Sequence, residues 1–215
     1  MRNRARCNRA QGFTLIEILV VITIIASLAG AVLILVPRIQ EKQKQTTCAN
    51  HLRQLGGVYT SESMEKPGLP PQVGASLWIY YRQKHFIQKS REEVLTCPGD
   101  QQVRVPANEQ ESDAYDEMNL ADPPVTACSF MGRDFINYPL SNEAEAAQII
   151  GCDRNGVDHR TPHHRDGVNI LYDDGAVQNK DREYLGLTPE DPIVVGPESD
   201  VEILRQVIYG PPRKE

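Results

Sequence analysis

Gly12-Phe13-Thr14-Leu15-Ile16-Glu17 opens an apolar run that continues from Ile18 to Val36 as ILVVITIIASLAGAVLILV. From Phe13 to Val36 there are 24 residues, and Glu17 is the one charge among them. As a helix rising about 1.5 Å per residue, the run reaches roughly 36 Å. That is enough to cross a hydrocarbon core of about 30 Å with some tilt. Arg2, Arg4, Arg6 and Arg9 precede it without an acid. A basic flank stays on the cytoplasmic side, which sends the C-terminal bulk outward. A secretory signal has a shorter apolar core, about 7–15 residues, and its small residues follow that core. Here the small residue, Gly12, stands before the run. A single-pass anchor that sheds a basic leader and keeps its helix fits this order.

Gly12-Phe13-Thr14-Leu15-Ile16-Glu17 resembles the prepilin cleavage and methylation motif of type IV pilins and type II secretion pseudopilins. The resemblance implies a cut between Gly12 and Phe13 by a prepilin peptidase, followed by N-methylation of Phe13. Glu17, then the fifth mature residue, takes the place of the family's assembly glutamate. The implied fold class is α+β: a long N-terminal membrane and filament-core helix, then a small head with an antiparallel sheet. The implied partners are the peptidase, an inner-membrane assembly platform, membrane lipid, and other copies of itself or related pilins. The plain alternative is an uncleaved anchor with Glu17 near the headgroups.

Composition bounds the rest. The 215 residues carry a formal charge of −6. Loss of the leader's four arginines takes 23 basic residues to 19 against 29 acids, about −10. An acidic surface argues against nucleic acid as the main partner. Length suggests one globular domain beyond the anchor. Aromatics are 6%, and 15 Gly with 15 Pro suggest a modest core and many irregular connections. Cys7 lies in the leader. Cys48, Cys97, Cys128 and Cys152 remain, an even number for an oxidising compartment, and four cysteines allow three pairings. Cys48 falls on the N-terminal helix. One bridge is expected among Cys97, Cys128 and Cys152, with Cys97–Cys128 or Cys128–Cys152 as the shorter closures. No pair has zinc-ribbon spacing, so a structural zinc site is not expected.

Four segments follow: a leader at 1–12, a transmembrane and filament-core helix at 13–36, its amphipathic continuation at 37–63, and an extracytoplasmic head at 64–215. Pro37 frees the Leu33 carbonyl and invites a kink. Leu52, Leu55 and Tyr59 keep the spacing of one helix face. Gly56-Gly57 either marks close packing against a sheet or ends the helix. In the head, Leu77, Trp78, Tyr81 and Phe86 suggest a short amphipathic helix or turn. Val94–Pro98 reads as a brief strand, 99–124 as an acidic surface loop with at most a short helix, and Thr126–Met131 as a strand. Ser141–Ala147 reads as a helix start capped by Ser141 or Asn142. Gln148–Cys152 and Val168–Tyr172 read as strands. Asp173-Asp174-Gly175 turns the second into a hairpin with Ala176–Gln178. A last helix is expected around Val201–Ile208.

Three later stretches extend the resemblance, to general secretion pathway protein G-like sequences: the helix motif Cys48–Gly56 (CANHLRQLG), Leu95–Asp100 (LTCPGD), and His164 followed after nine residues by Asp174-Gly175. Neither 99–124 nor the tail after Asp181 is covered. The densest group of chemical side chains is Asp153, Asp158, His159, His163, His164, Asp166, Asp173 and Asp174. A metal hydrolase needs a ligand signature such as HExxH, which the chain lacks. The favoured reading has no catalytic residue, and His164, Asp174 and Gly175 brace the hairpin. Asp153-Arg154-Asn155-Gly156-Val157-Asp158 is a candidate calcium loop, with Asp153, Asn155 and Asp158 as oxygen donors round a glycine. Major pseudopilins carry a calcium loop in the head, but the full twelve-residue pattern is missing here, and no other cofactor is expected. The sequence thus points to a non-enzymatic structural subunit of a type IV pilus-like or type II secretion filament. The runner-up is a membrane-anchored extracytoplasmic binding protein that uses the 99–124 loop and never polymerises.

Overall fold

The computed structural model describes residues 13–66, 68, 70, 72–141, 143–154, 164 and 166–210. The chain divides into two units, one ending at Gln40 and the other starting at Glu41. The first helix, α1, is continuous from Leu15 to Glu65 and passes through Pro37. Its start is set by a reciprocal cap. The Glu17 carboxylate accepts from the Thr14 backbone N–H and hydroxyl, each at 2.8 Å, and Thr14 Oγ1 accepts from the Glu17 N–H at 3.3 Å. The pair satisfies donors that a helix N-terminus leaves open. Within the first unit, every described apolar side chain from Phe13 to Val36 is exposed, Leu15 at 92% and Leu33 at 75%. This stretch is the one described helix long and apolar enough to cross a membrane.

In the second unit, Cys48, Leu52, Leu55, Tyr59 and Glu62 lie on one buried stripe of α1. Their spacing of three and four residues is that of a single helix face. The helix does not end at Gly56-Gly57: Gly56 brings the backbone against Leu171, and both are buried. Helix α2 (Ala75–Gln83) adds Leu77, Trp78, Ile79 and Tyr81 to the same core. The expected strand at Val94–Pro98 is instead the end of a 3-10 segment, Lys89–Leu95. Pro98 has no N–H for a ladder, so the stretch packs Val94 and Leu95 inward without pairing. Helix α3 is a single turn, Glu109–Asp113, capped by Asn108.

Five strands form one antiparallel sheet: β1 (Phe130–Arg133), β2 (Ile149–Asp153), β3 (Gly167–Tyr172), β4 (Val177–Asp181) and β5 (Val207–Ile208). Their spatial order is β4-β3-β2-β1-β5. The long helix and this sheet are the α+β architecture expected from the sequence. The Asp173–Ala176 connection makes the β3–β4 hairpin. Ser141–Ala147 does not form the expected helix; Ser141 Oγ accepts from the Glu143 N–H at 3.2 Å and closes a local turn. The tail forms α4 (Glu202–Arg205) and then β5, shorter than the predicted last helix.

The sheet is covered on both faces. Phe130, Ile150 and Leu171 pack with α1 and α2. Met131, Ile149, Cys152, Val168, Ile170 and Tyr172 face away and pack with Leu185, Ile193, Val195 and Leu204 of the tail. A register shift between Ile149 and Gly151 puts Ile150 and Gly151 together on the helix side. After this bulge Cys152 faces the tail and Asp153 faces α1.

Candidate functional site

Two places carry chemistry. At the N-terminus, Phe13 is exposed at 80%, and Glu17 sits one turn into α1, tied to Thr14. Gly12 lies outside the described residues.

The second place is buried in the head. Cys48 comes from α1, Cys97 from the loop after the 3-10 segment, Asp153 from the end of β2, and His164 from just before β3. One ligand-type atom from each lies within 4.8 Å of all the others. The Cys48 thiol donates to Asp153 Oδ1 at 2.7 Å. His164 Nε2 is 3.3 Å from Cys97 Sγ and 3.7 Å from Asp153 Oδ2. None of the four is more than 3% exposed. A layer of hydrogen bonds surrounds them. His164 Nδ1 faces Glu41 Oε1 at 3.2 Å. Asp153 Oδ2 accepts from the Asn169 N–H at 2.8 Å. Cys97 Sγ accepts from the Gly99 N–H at 3.4 Å. Asn169 Nδ2 reaches back to the Gln45 carbonyl of α1 at 3.2 Å.

Burial raises the Asp153 carboxyl to about 6, because an apolar surrounding disfavours its charge, while His164 and the bonds from Cys48 and Asn169 pull the other way. For His164, burial acts to lower its value. The contact with Cys97, the charge of Asp153 and the hydrogen bond to Glu41 outweigh it, and the imidazole rises to about 9. Burial and the neighbouring Cys97 and Asp153 push the Cys48 thiol well up.

This geometry corrects several sequence expectations. His164 and Asp174 do not brace one hairpin. They lie beyond opposite ends of the six-residue β3, a strand length of roughly 20 Å. Asp174 stays in the turn, where Oδ1 accepts from the Ala176 N–H at 2.8 Å, and Gly175 supplies the positive φ of 81°. The expected bridge among Cys97, Cys128 and Cys152 is not formed, and the four cysteines among the described residues are thiols. Cys152 points to the tail side of the sheet, whereas Cys97 and Cys128 lie in the core on the helix side. Burial lifts the Cys128 thiol to about 12 and raises that of Cys152, which makes both poor nucleophiles.

The calcium reading falls largely outside the described residues, since Asn155 and Asp158 are not among them. Its third donor, Asp153, is turned inward to two sulfurs and an imidazole. Arg154 is buried against Asp100 at 3.1 Å and stacks over the Tyr209 ring. Of the acids in 99–124, Asp100 is thus engaged, Asp113 pairs with Lys89, and Asp116 pairs with Arg82. Sequence reasoning named all four members of the buried cluster but never as one site: Cys97 as a bridge candidate, Asp153 as a calcium donor, His164 as a hairpin brace, and Cys48 only by its place on the N-terminal helix. The stretches Cys48–Gly56, Leu95–Asp100 and 164–175 contribute one member each: Cys48, Cys97 and His164.

A family model described as the prokaryotic N-terminal methylation motif matches residues 7–33. No curated protein and no solved structure matches the chain.

Proposed function

We propose that this chain is a pilin-like structural subunit, made as a precursor and assembled through its N-terminal helix. The observation that carries the reading is the methylation motif running directly into an apolar helix that nothing in its own unit covers. That surface is buried by lipid before assembly and by the helices of neighbouring subunits afterwards. A prepilin peptidase cuts between Gly12 and Phe13 and methylates Phe13. The basic leader keeps the N-terminus cytoplasmic, and the head stands outside the inner membrane. Glu17 is the acid available to recognise a neighbour's Phe13 amine during packing. The resemblance of Cys48–Gly56, Leu95–Asp100 and His164–Gly175 to protein G-like sequences supports a type II secretion or related filament. The role is structural, not enzymatic. A binding role for the 99–124 loop is the second reading: Asp100, Asp113 and Asp116 pair within the head, while Glu109, Glu117 and Asp122 are exposed.

The test is the mass and N-terminus of the mature protein from membranes, read beside electron microscopy of sheared cells. A methylated Phe13 terminus and fibres are expected, and Gly12→Leu is expected to stay at precursor mass. A mature protein that starts at Met1 would overturn the reading.

A further inference from the structure

We propose that Cys48, Cys97, Asp153 and His164 form a closed, four-ligand zinc site that ties α1 to the ends of β2 and β3. The proposal does not depend on filament formation.

The donor set comes first. Two sulfurs, an imidazole and a carboxylate match zinc, which takes Cys, His and Asp in tetrahedral sites. Calcium takes about six to eight oxygens and magnesium an octahedron of oxygens, and neither matches two sulfurs. Copper(I) prefers sulfur throughout, and the carboxylate counts against it.

Geometry agrees. With metal–ligand bonds of about 2.0–2.3 Å, a tetrahedron has edges of about 3.3–3.8 Å. His164 Nε2 lies 3.3 Å from Cys97 Sγ and 3.7 Å from Asp153 Oδ2. The shorter 2.7 Å contact between Cys48 Sγ and Asp153 Oδ1 is the thiol hydrogen bond. It opens when the metal takes the place of the thiol proton. Binding releases the two thiol protons to solvent, with any second proton on His164, and no redox change is involved.

The surrounding layer is that of a metal site. A metal-bound histidine ordinarily donates its other ring N–H to a carboxylate, and His164 turns Nδ1 to Glu41. The Gly99 N–H points at Cys97 Sγ, and the Asn169 N–H fixes the Asp153 carboxylate. Four protein ligands leave no position for water or substrate. That is the arrangement of a structural site, not a catalytic one. Cys48, Cys97 and the pair Asp153 and His164 are far apart in sequence, so one ion cross-links α1, the Cys97 loop, the end of β2 and the segment before β3.

The rival use of the sulfurs is a Cys48–Cys97 disulfide, which would remove both thiolates. The two outcomes exclude each other. The full chain is purified in detergent from membranes without chelators, and its metal content and disulfides are measured. It is then stripped and titrated with Zn²⁺ and with Co²⁺. One zinc per chain is expected, and Co²⁺ is expected to give thiolate charge-transfer absorption with intense tetrahedral d–d bands. Cys97→Ser and His164→Ala should lose stoichiometric zinc, whereas Cys128→Ser and Cys152→Ser should keep it. Glu41→Ala should weaken binding by about 10–100-fold. A metal-free wild-type protein that gives no tetrahedral cobalt spectrum would overturn the site. So would a Cys48–Cys97 bridge mapped in envelope material, or zinc loss caused by Cys128→Ser. If the ligand variants fail to fold, the wild-type stoichiometry and cobalt spectrum still decide.

Discussion

Gly56 and Gly57 are neighbours in one helix, yet alanine is expected to act on them in opposite directions. Both sit inside α1, where alanine is favoured over glycine by about 1 kcal/mol. A Cβ at Gly57 meets nothing within 4 Å, and the residue is exposed. Gly57→Ala should therefore stabilise by about 1 kcal/mol. A Cβ at Gly56 would lie 2.7 Å from Leu171 Cδ1, and Leu171 is fully buried. Forcing a methyl into a filled core costs about 1–3 kcal/mol, which cancels or exceeds the helical gain. Gly56→Ala should be neutral to destabilising by about 2 kcal/mol, so the gap between the variants is the packing cost alone. For a domain of this size each kcal/mol moves Tm by about 2–4 °C. Trp78 is the single tryptophan and is fully buried in the core that Leu171 joins, so its fluorescence reports the unfolding of the full chain in detergent. Leu171→Val removes the obstructing Cδ atoms, and combined with Gly56→Ala it should recover part of the loss, a coupling of about 0.5–3 kcal/mol. Equal stabilisation by both glycine variants, or strict additivity with Leu171→Val, would refute the docking of α1 onto β3 at this point.

Glu17 separates capping from recognition: Gln keeps an acceptor for Thr14 but removes the charge. If charge recognition drives assembly, Glu17→Gln should insert and be processed yet form as few fibres as Glu17→Ala, and normal fibres from Glu17→Gln would reduce the residue to a helix cap. Arg82 and Glu92 form a buried pair, and Arg82 also donates to Ser112 and Asp116. Arg82→Met should cost about 3–5 kcal/mol by stranding the Glu92 carboxylate. Arg82→Met with Glu92→Leu should recover much of that in denaturant unfolding, and no recovery would mean that Arg82 acts through its other bonds.

Local patterns were legible where neighbours in sequence carry the physics. The stripe Leu52, Leu55, Tyr59 predicted the buried face of α1, and the apolar run Val168–Tyr172 followed by the turn Asp173-Asp174-Gly175 predicted β3 and its hairpin. Val94–Leu95 failed because a short apolar pair before a proline is buried equally well without pairing. Ser141–Ala147 failed because a serine that caps a helix also closes a turn. The tail after Asp181 carried no motif, yet its scattered Leu185, Ile193, Val195 and Leu204 build the second face of the core. Scattered apolar residues have no period, so only the sheet they cover reveals their purpose.

The sequence by itself determined the candidate membrane anchor. A 24-residue apolar run with one acid, preceded by a glycine and a basic stretch, forms a pattern of composition and order. Helix rise and bilayer thickness translate such a run directly into a length that can cross a membrane. The buried cluster was decided only by the tertiary structure. Cys48 and Cys97 are 49 residues apart in the chain, and Asp153 and His164 lie farther on. Ligand spacing is informative when one turn or hairpin holds the donors. Here α1, the Cys97 loop, the end of β2 and the segment before β3 each supply one donor, and a bulge in β2 turns Asp153, rather than Cys152, toward the helix. A single residue of register sets which of those two faces the sulfurs, because side chains along a strand alternate between its faces.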